Sequence, residues 1–465
     1  MISKLPNIVV PKGEPFKNCC LGRKRYADIL TQIVTNYTNG GVIALNGAWG
    51  TGKTTFMKMW SQDLIDNGFH TLYFNVWEDD FISDPLVGLI GQFEDLCKSE
   101  EVKSKFIEVL TFAGKVVAST APAILKVFAK QYLSEDIVGS ISDATNEIGD
   151  VFKREIETYQ EQRNSIREFR KTLGNFVYEY FNEKPIIFIV DELDRCNPHY
   201  AVKVLERIKH LFDIPNIIFV LSIDKKQLCS SIRGYFGTDK LNAEEYLQRF
   251  INLEYQLPHP DADSFCNYLY EVYDFESYFS RVNNEYRNSK EMFRRMSTSF
   301  FKKLNLSLRE MDRLYSHIRL SLKSYNSTNN VYAELILLLL YIKKKDISFY
   351  NMLKEHKCTI QDIVTFFESE DIKNVFYCSD AFDSSVRYTT LCLAYLLLLY
   401  SHGKLGDENI KLLNNETILN FKINIIDEKM MVEAIKTYSK SPMTMYDTLN
   451  NYISHFDLRN TINGI

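Results

Sequence analysis

One short stretch near the amino terminus restricts this chain more than the rest of it together. "GAWGTGKTT" (Gly47–Thr55) sets Gly47, the free positions Ala48, Trp49, Gly50 and Thr51, then Gly52, Lys53 and Thr54, with Thr55 next. Glycines at this spacing let the backbone turn tightly, so that successive N–H groups face phosphate oxygens. Lys53 is placed to reach the β- and γ-phosphates, and the Thr54 hydroxyl to ligate Mg²⁺. The flanks supply the setting such a loop needs. Val42–Leu45 reads as a short buried strand, and Phe56, Met59, Trp60 and Leu64 recur at helical spacing. A strand, a glycine loop and a helix put a pyrophosphate at a helix N-terminus.

A second constellation answers the first. "KPIIFIVDELDRC" (Lys184–Cys196) runs apolar into Asp191 and Glu192, which places two carboxylates at the C-terminal edge of a parallel strand, where ligands bind in open α/β sheets. Asp191 is suited to hold Mg²⁺, directly or through water, and Glu192 to polarise an attacking water as general base. A solvated strand end carries the same residue types, and the complete glycine loop upstream decides for chemistry. Further apolar runs at His70–Asp80 and Asn216–Asp224, and a last one in "INLEYQLP", alternate with helical patterns. That alternation predicts a parallel sheet covered on both faces. Asp84-Pro85 predicts the start of a helix through "DPLVGLIGQFEDLC".

Composition excludes more than it assigns. A chain of 465 residues has room for two or three domains, and a net charge of −5 excludes a general nucleic-acid or membrane-surface binder. Nine cysteines, without metal spacing, read as reduced thiols of a cytoplasmic protein. The opening "MISKLPNIVVPKGEP" has no secretory pattern. The apolar runs Ala333–Ile342 and Leu391–Tyr400 are shorter than the roughly 20 residues of a bilayer span and predict buried helices. No membrane span is expected.

In their order, "LGRKRYADIL", "GAWGTGKTT", "FNVWEDD" (Phe74–Asp80), "DELDRC" (Asp191–Cys196), "LSIDKKQL" (Leu221–Leu228) and "EYLQRFINLEYQLP" (Glu245–Pro258) resemble the KAP-type P-loop NTPases, a group within the additional-strand ATPase class. The resemblance covers roughly the first 260 residues and, more weakly, the lid-like segment after them. It implies ATP as substrate with Mg²⁺, an insertion between the first two motifs, and a polar residue on the added strand that touches the water or γ-phosphate. That strand ends here with Ser222 and Asp224, and Asp224 also suits the cap of the helix beginning "KKQLCSSI". The two roles do not exclude each other. Many such proteins carry transmembrane helices in the insertion, whereas residues 98–160 here are charged, so a soluble member is expected.

An arginine commonly offsets charge developing on the γ-phosphate. Arg195 and Arg249 rank above Arg207 for that role. Residues 259–325 resemble the helical lid of related ATPases, and Arg309, a turn before Arg313, matches the lid arginine that senses the γ-phosphate. The basic segment Arg281–Lys345, with Arg294 and Arg295, has a second reading as a nucleic-acid face. The lid reading is favoured.

The expected architecture is therefore a three-layer α/β P-loop NTPase domain with a parallel sheet (1–258, helical insertion about 98–160). An all-α lid (259–325) and a C-terminal helical domain (326–465) complete the chain. The expected function is Mg²⁺-dependent ATP hydrolysis acting as a regulatory or assembly switch. A homo-oligomer, a protein partner carrying effector chemistry, or both are the expected associates, and family association adds bacterial antiviral defence. Two alternatives stand: a nucleic-acid-dependent ATPase, and a nucleotide-stabilised scaffold with little turnover, against which Lys53, Thr54, Asp191 and Glu192 speak. "SIDKKQ" lacks the Asn-Lys-x-Asp guanine signature, which favours ATP over GTP.

Overall fold

The computed structural model describes residues 9–37, 39–81, 84–120, 151–181, 183–280, 289–323, 333–369, 382–400, 430–431, 433–435 and 449–457. Part of the expected insertion, 121–150, lies outside them. Contacts divide the chain into two compact units, Ile8–His259 and a second that contains Pro260–Ile465.

The first unit is built on five parallel strands, β1 (Gly41–Asn46), β2 (His70–Asn75), β3 (Ile186–Asp191), β4 (Ile217–Ile223) and β5 (Leu253–Gln256), in the order β2-β3-β4-β1-β5. Thus β4 stands between the strand that feeds the glycine loop and the strand that ends in the acidic pair. Register aligns Asn75 with Asp191, Asp191 with Ser222, and Ser222 with Leu45, one row across the C-terminal edge.

Every residue of β3 and β4 is buried, as Ile/Val/Phe runs require when both faces are covered. Alternation then sorts side chains between two cores. Ile43, Leu45, Ile187, Ile189, Ile218 and Val220 pack against α1 (Lys24–Asn36) and α2 (Lys53–Asp66) through Leu30, Val34, Phe56 and Trp60. Ala44, Phe74, Phe188, Val190, Phe219 and Leu221 form the other core. That face is covered by α3 (Pro85–Gly91), α4 (Glu100–Thr120), α5 (Val151–Tyr180), α6 (Pro198–Leu211) and α7 (Lys225–Phe236). A short α8 (Ala243–Gln248) leads to β5.

Local chemistry sets the ends of these helices. Asp84 Oδ1 accepts from Leu86 N at 2.9 Å, with Pro85 in the first turn of α3. The expected longer helix ends at Gly91, and Gln92–Leu96 continues as a 3-10 turn. Gly88 is required where α3 meets the sheet, since a Cβ there would lie 2.7 Å from the Phe74 ring. At the expected insertion, Phe106, Val109 and Ala113 of α4 are buried in one core with Phe169, Leu173 and Phe176 of α5. Its arms form part of a structural layer.

Among the described residues the second unit is helical. Ala333–Lys345 is buried from Ala333 through Ile342, and Cys392–Tyr400 lies buried at the end of the helix Phe382–Tyr400. No helix among the described residues is long and apolar enough to cross a membrane.

Candidate nucleotide site

The glycine loop leaves β1 after Asn46 and enters α2 at Lys53. Gly50 and Gly52 adopt φ of 78° and 83°, the left-handed region that glycine enters without steric cost. A Cβ on Gly47 would sit 3.3 Å from Thr51 Oγ1 and 3.4 Å from Lys53 Cδ, so the loop closes tightly there. Thr51 Oγ1 donates to Ala48 O at 2.8 Å. The buried Lys53 Nζ donates to Gly47 O at 2.5 Å and Ala48 O at 3.3 Å. Burial lowers its pKa, and Asp194, Asp224 and Asp191 offset that only in part. One ammonium thus stands among three carboxylates.

At the end of β3, Asp191 Oδ2 accepts from Tyr73 OH at 2.6 Å and Oδ1 accepts from Glu192 N at 2.9 Å. Glu192 turns the chain with a left-handed φ of 63°. Burial raises its pKa, opposed by Arg195, whose Nη1 lies 2.6 Å from Glu192 Oε1, and reinforced by Asp191. The Arg195 guanidinium also lies over the ring of Trp77, 5.6 Å from its centroid.

Trp49 joins the loop to both neighbouring motifs. Its N–H donates to Asp224 Oδ2 at 3.1 Å, and its indole Nε1 donates to Asp194 Oδ2. The other Asp224 oxygen caps α7, accepting from Lys226 N at 3.1 Å and Gln227 N at 3.4 Å. Asp224 therefore caps a helix and anchors the loop at once.

The residues fit a magnesium nucleotide. Ser222 Oγ, fully buried and opposite Asp191 in register, has no hydrogen-bond partner among the described residues, which leaves an acceptor beside the acidic pair. Thr54 occupies the first turn of α2, half-buried. No group of three or more His, Cys, Asp or Glu among the described residues is placed to hold a metal ion. Magnesium bound through one or two protein oxygens, with water and phosphate supplying the rest, needs no such group.

The arginines divide. Arg195 stands at the site. Arg207 is committed to Asp84, its Nε donating to Oδ1 at 3.1 Å and its Nη2 to Oδ2. Arg249 caps the end of α8, its guanidinium 5.8 Å from the Tyr246 ring centroid. Three residues on, Asn252 N donates to Val42 O at 2.8 Å, which places Arg249 beside the start of β1. The glycine loop lies beyond the far end of that strand, roughly 20 Å away at the rise of a parallel strand. The structure does not bring Arg249 to its own chain's loop. Arg309 is exposed on the first turn of the helix Leu308–Lys323, in the second unit.

Sequence reasoning missed Tyr73, the Trp49–Asp194 contact and Arg23. Arg23, 3% exposed, donates from Nη2 to Thr51 O at 2.7 Å and from Nη1 to Gly52 O at 3.2 Å. The available signal was its place in "LGRKRYADIL", one residue before a helix.

A profile of the KAP family P-loop domain matches residues 23–324. The Phage T7 exclusion protein of Escherichia coli (strain K12) is 21% identical over 264 residues, 52% of this chain and 33% of that one, so the chain spans about a third of its relative's length. Among solved structures, the Aeropyrum pernix ORC2 protein in ADPNP–ADP complexes aligns at a TM-score of 0.34 with 12% identity, over 94% of this chain and 97% of that one. Its ADP form aligns at 0.32 with 9% identity, with the same coverage.

Proposed function

The chain belongs to the KAP family of P-loop domains, and from that premise we propose that it is a Mg²⁺-dependent ATP hydrolase serving as a regulatory or assembly switch. The observation that carries this reading is the tie made by Trp49, which bonds the glycine loop to Asp194 of the acidic motif and to Asp224 at the end of β4. In this reading the loop N–H groups and Lys53 hold the phosphates, and Thr54 and Asp191 hold Mg²⁺. The ion, when bound, neutralises charge on the β- and γ-oxygens. Glu192, raised by burial, accepts the proton of the attacking water.

Arg249, at the opposite sheet edge, fits a charge supplied to a neighbouring copy. The specific ATPase rate should then climb with protein concentration and fall in Arg249→Ala. The name of the Escherichia coli relative supports phage exclusion as the setting of the switch.

The nucleic-acid reading is weakened by pairing in the second unit. Lys290 meets Glu276, Arg295 meets Glu291, Lys302 meets Asp263, and Arg294 donates to Asn267. These partners compete with phosphate for the same cations.

ATP turnover beside Lys53→Ala and Glu192→Gln, with GTP in parallel, tests the function. The expected result is turnover of ATP above GTP, loss of binding in the first variant, and binding without turnover in the second. Equal turnover in wild type and Glu192→Gln would sink the proposal.

A further inference from the structure

Arg23 lies immediately before α1 and is buried against the glycine loop rather than against an acid. No carboxylate among the described residues forms an ion pair with it. Burial alone lowers its pKa, and the charge is met by two consecutive carbonyls, those of Thr51 and Gly52. A charged guanidinium in that position needs a reason, since burying an unpaired cation is costly.

Peptide geometry supplies one. In a planar trans peptide the C=O of one residue points opposite to the N–H of the next. Drawing the Thr51 and Gly52 carbonyls toward Arg23 therefore turns the N–H groups of Gly52 and Lys53 to the other side. In a phosphate loop that side is the cradle. Gly52 O also accepts from Phe56 N at 3.0 Å, so one carbonyl ties Arg23 to the first turn of α2.

We propose that Arg23 is a positioning residue of the nucleotide site, which sets the direction of the Gly52 and Lys53 N–H donors and thereby the affinity for the polyphosphate of the nucleotide. This rests on the nucleotide-binding reading above. The rigid guanidinium fork spans two carbonyls at once, and an ammonium on a flexible stem cannot replace it.

The test uses the full chain with Arg23→Lys and Arg23→Met, titrated with ADP and with pyrophosphate as competitor. Arg23→Lys keeps charge and stem, so it remains informative where Arg23→Met fails to fold. The expected result is ADP binding weakened ~10-fold or more in both variants, the scale of hydrogen bonds to a charged group. Pyrophosphate should weaken by the same factor, and kcat at saturating ATP should stay within about twofold while KM rises, as for a binding contribution equal in ground and transition states. Unchanged ADP affinity in Arg23→Lys overturns the inference. So does a loss for ADP that pyrophosphate does not share, which would place Arg23 at the base. Absence of ADP binding by the wild type overturns the nucleotide reading itself, and this inference with it.

Discussion

The carboxylate of Glu192 is gripped by the guanidinium of Arg195, 2.6 Å away and three residues further along the same turn. Both side chains are largely enclosed, at 11% and 24% exposure. In the proposed mechanism the base is thus oriented by a cation from its own motif. Arg195→Ala should lower kcat ~10-fold or more while leaving ADP affinity within about twofold, because the contact reaches the base and not the phosphate cradle. Single-turnover rates beside equilibrium binding check this. A rise in basal turnover would instead make the pair a brake.

Trp49→Phe keeps an aromatic ring, smaller than the indole, and removes the donor to buried Asp194. Leaving a buried carboxylate short of a donor costs about 1–3 kcal/mol. Denaturant unfolding of the variant should show that loss, with ADP affinity falling in parallel because the loop then loses its tie to the acidic motif and keeps only those to Asp224 and Arg23. Unchanged stability would mean Asp194 finds another donor.

Much of this site was legible beforehand, and what escaped has a common cause. Gly47, Lys53, Asp191 and Glu192 lie in contiguous motifs whose spacing alone suggests the chemistry proposed for them. Trp49–Asp194 and Arg23–Thr51 join residues 145 and 28 positions apart, and nothing local encodes which side chain meets which carbonyl. The β2-β3-β4-β1-β5 order agrees with the additional-strand class suggested by the motifs. Arg249 could have been placed from sequence: a residue just before a parallel strand must lie at the N-terminal edge, away from the phosphate loop.

Arg207 and Asp84 form a pair in which the carboxylate is 1% exposed, and that same carboxylate caps α3. Arg207→Met removes its charge partner and should destabilise the first unit by about 3–5 kcal/mol, the cost of an uncompensated buried charge. Asp84→Asn with Arg207→Met should recover part of that loss. Thermal melting of the single and double variants decides it.

Asp457 in the second unit should make stability depend on pH, with a sign that its partners fix. Burial pushes its pKa up, but the ammonium groups of Lys343 at 2.8 Å and Lys354 at 2.9 Å outweigh that and hold it at about 2. A carboxylate depressed in the folded state stabilises above its unfolded pKa near 4 and loses that contribution as pH falls toward 2. Asp457→Asn should therefore melt lower than wild type at pH 7 and approach it near pH 2.5.

The strand β4, set between β1 and β3, has one more consequence. The span from the phosphate loop to the acidic pair is two inter-strand spacings, roughly 9–10 Å, held by main-chain hydrogen bonds. It works as a gauge whose length no side-chain substitution can alter. Different chemistry on this frame is open only to residues exchanged at fixed stations along the edge, and a distance change between the two motifs would require the sheet itself to part.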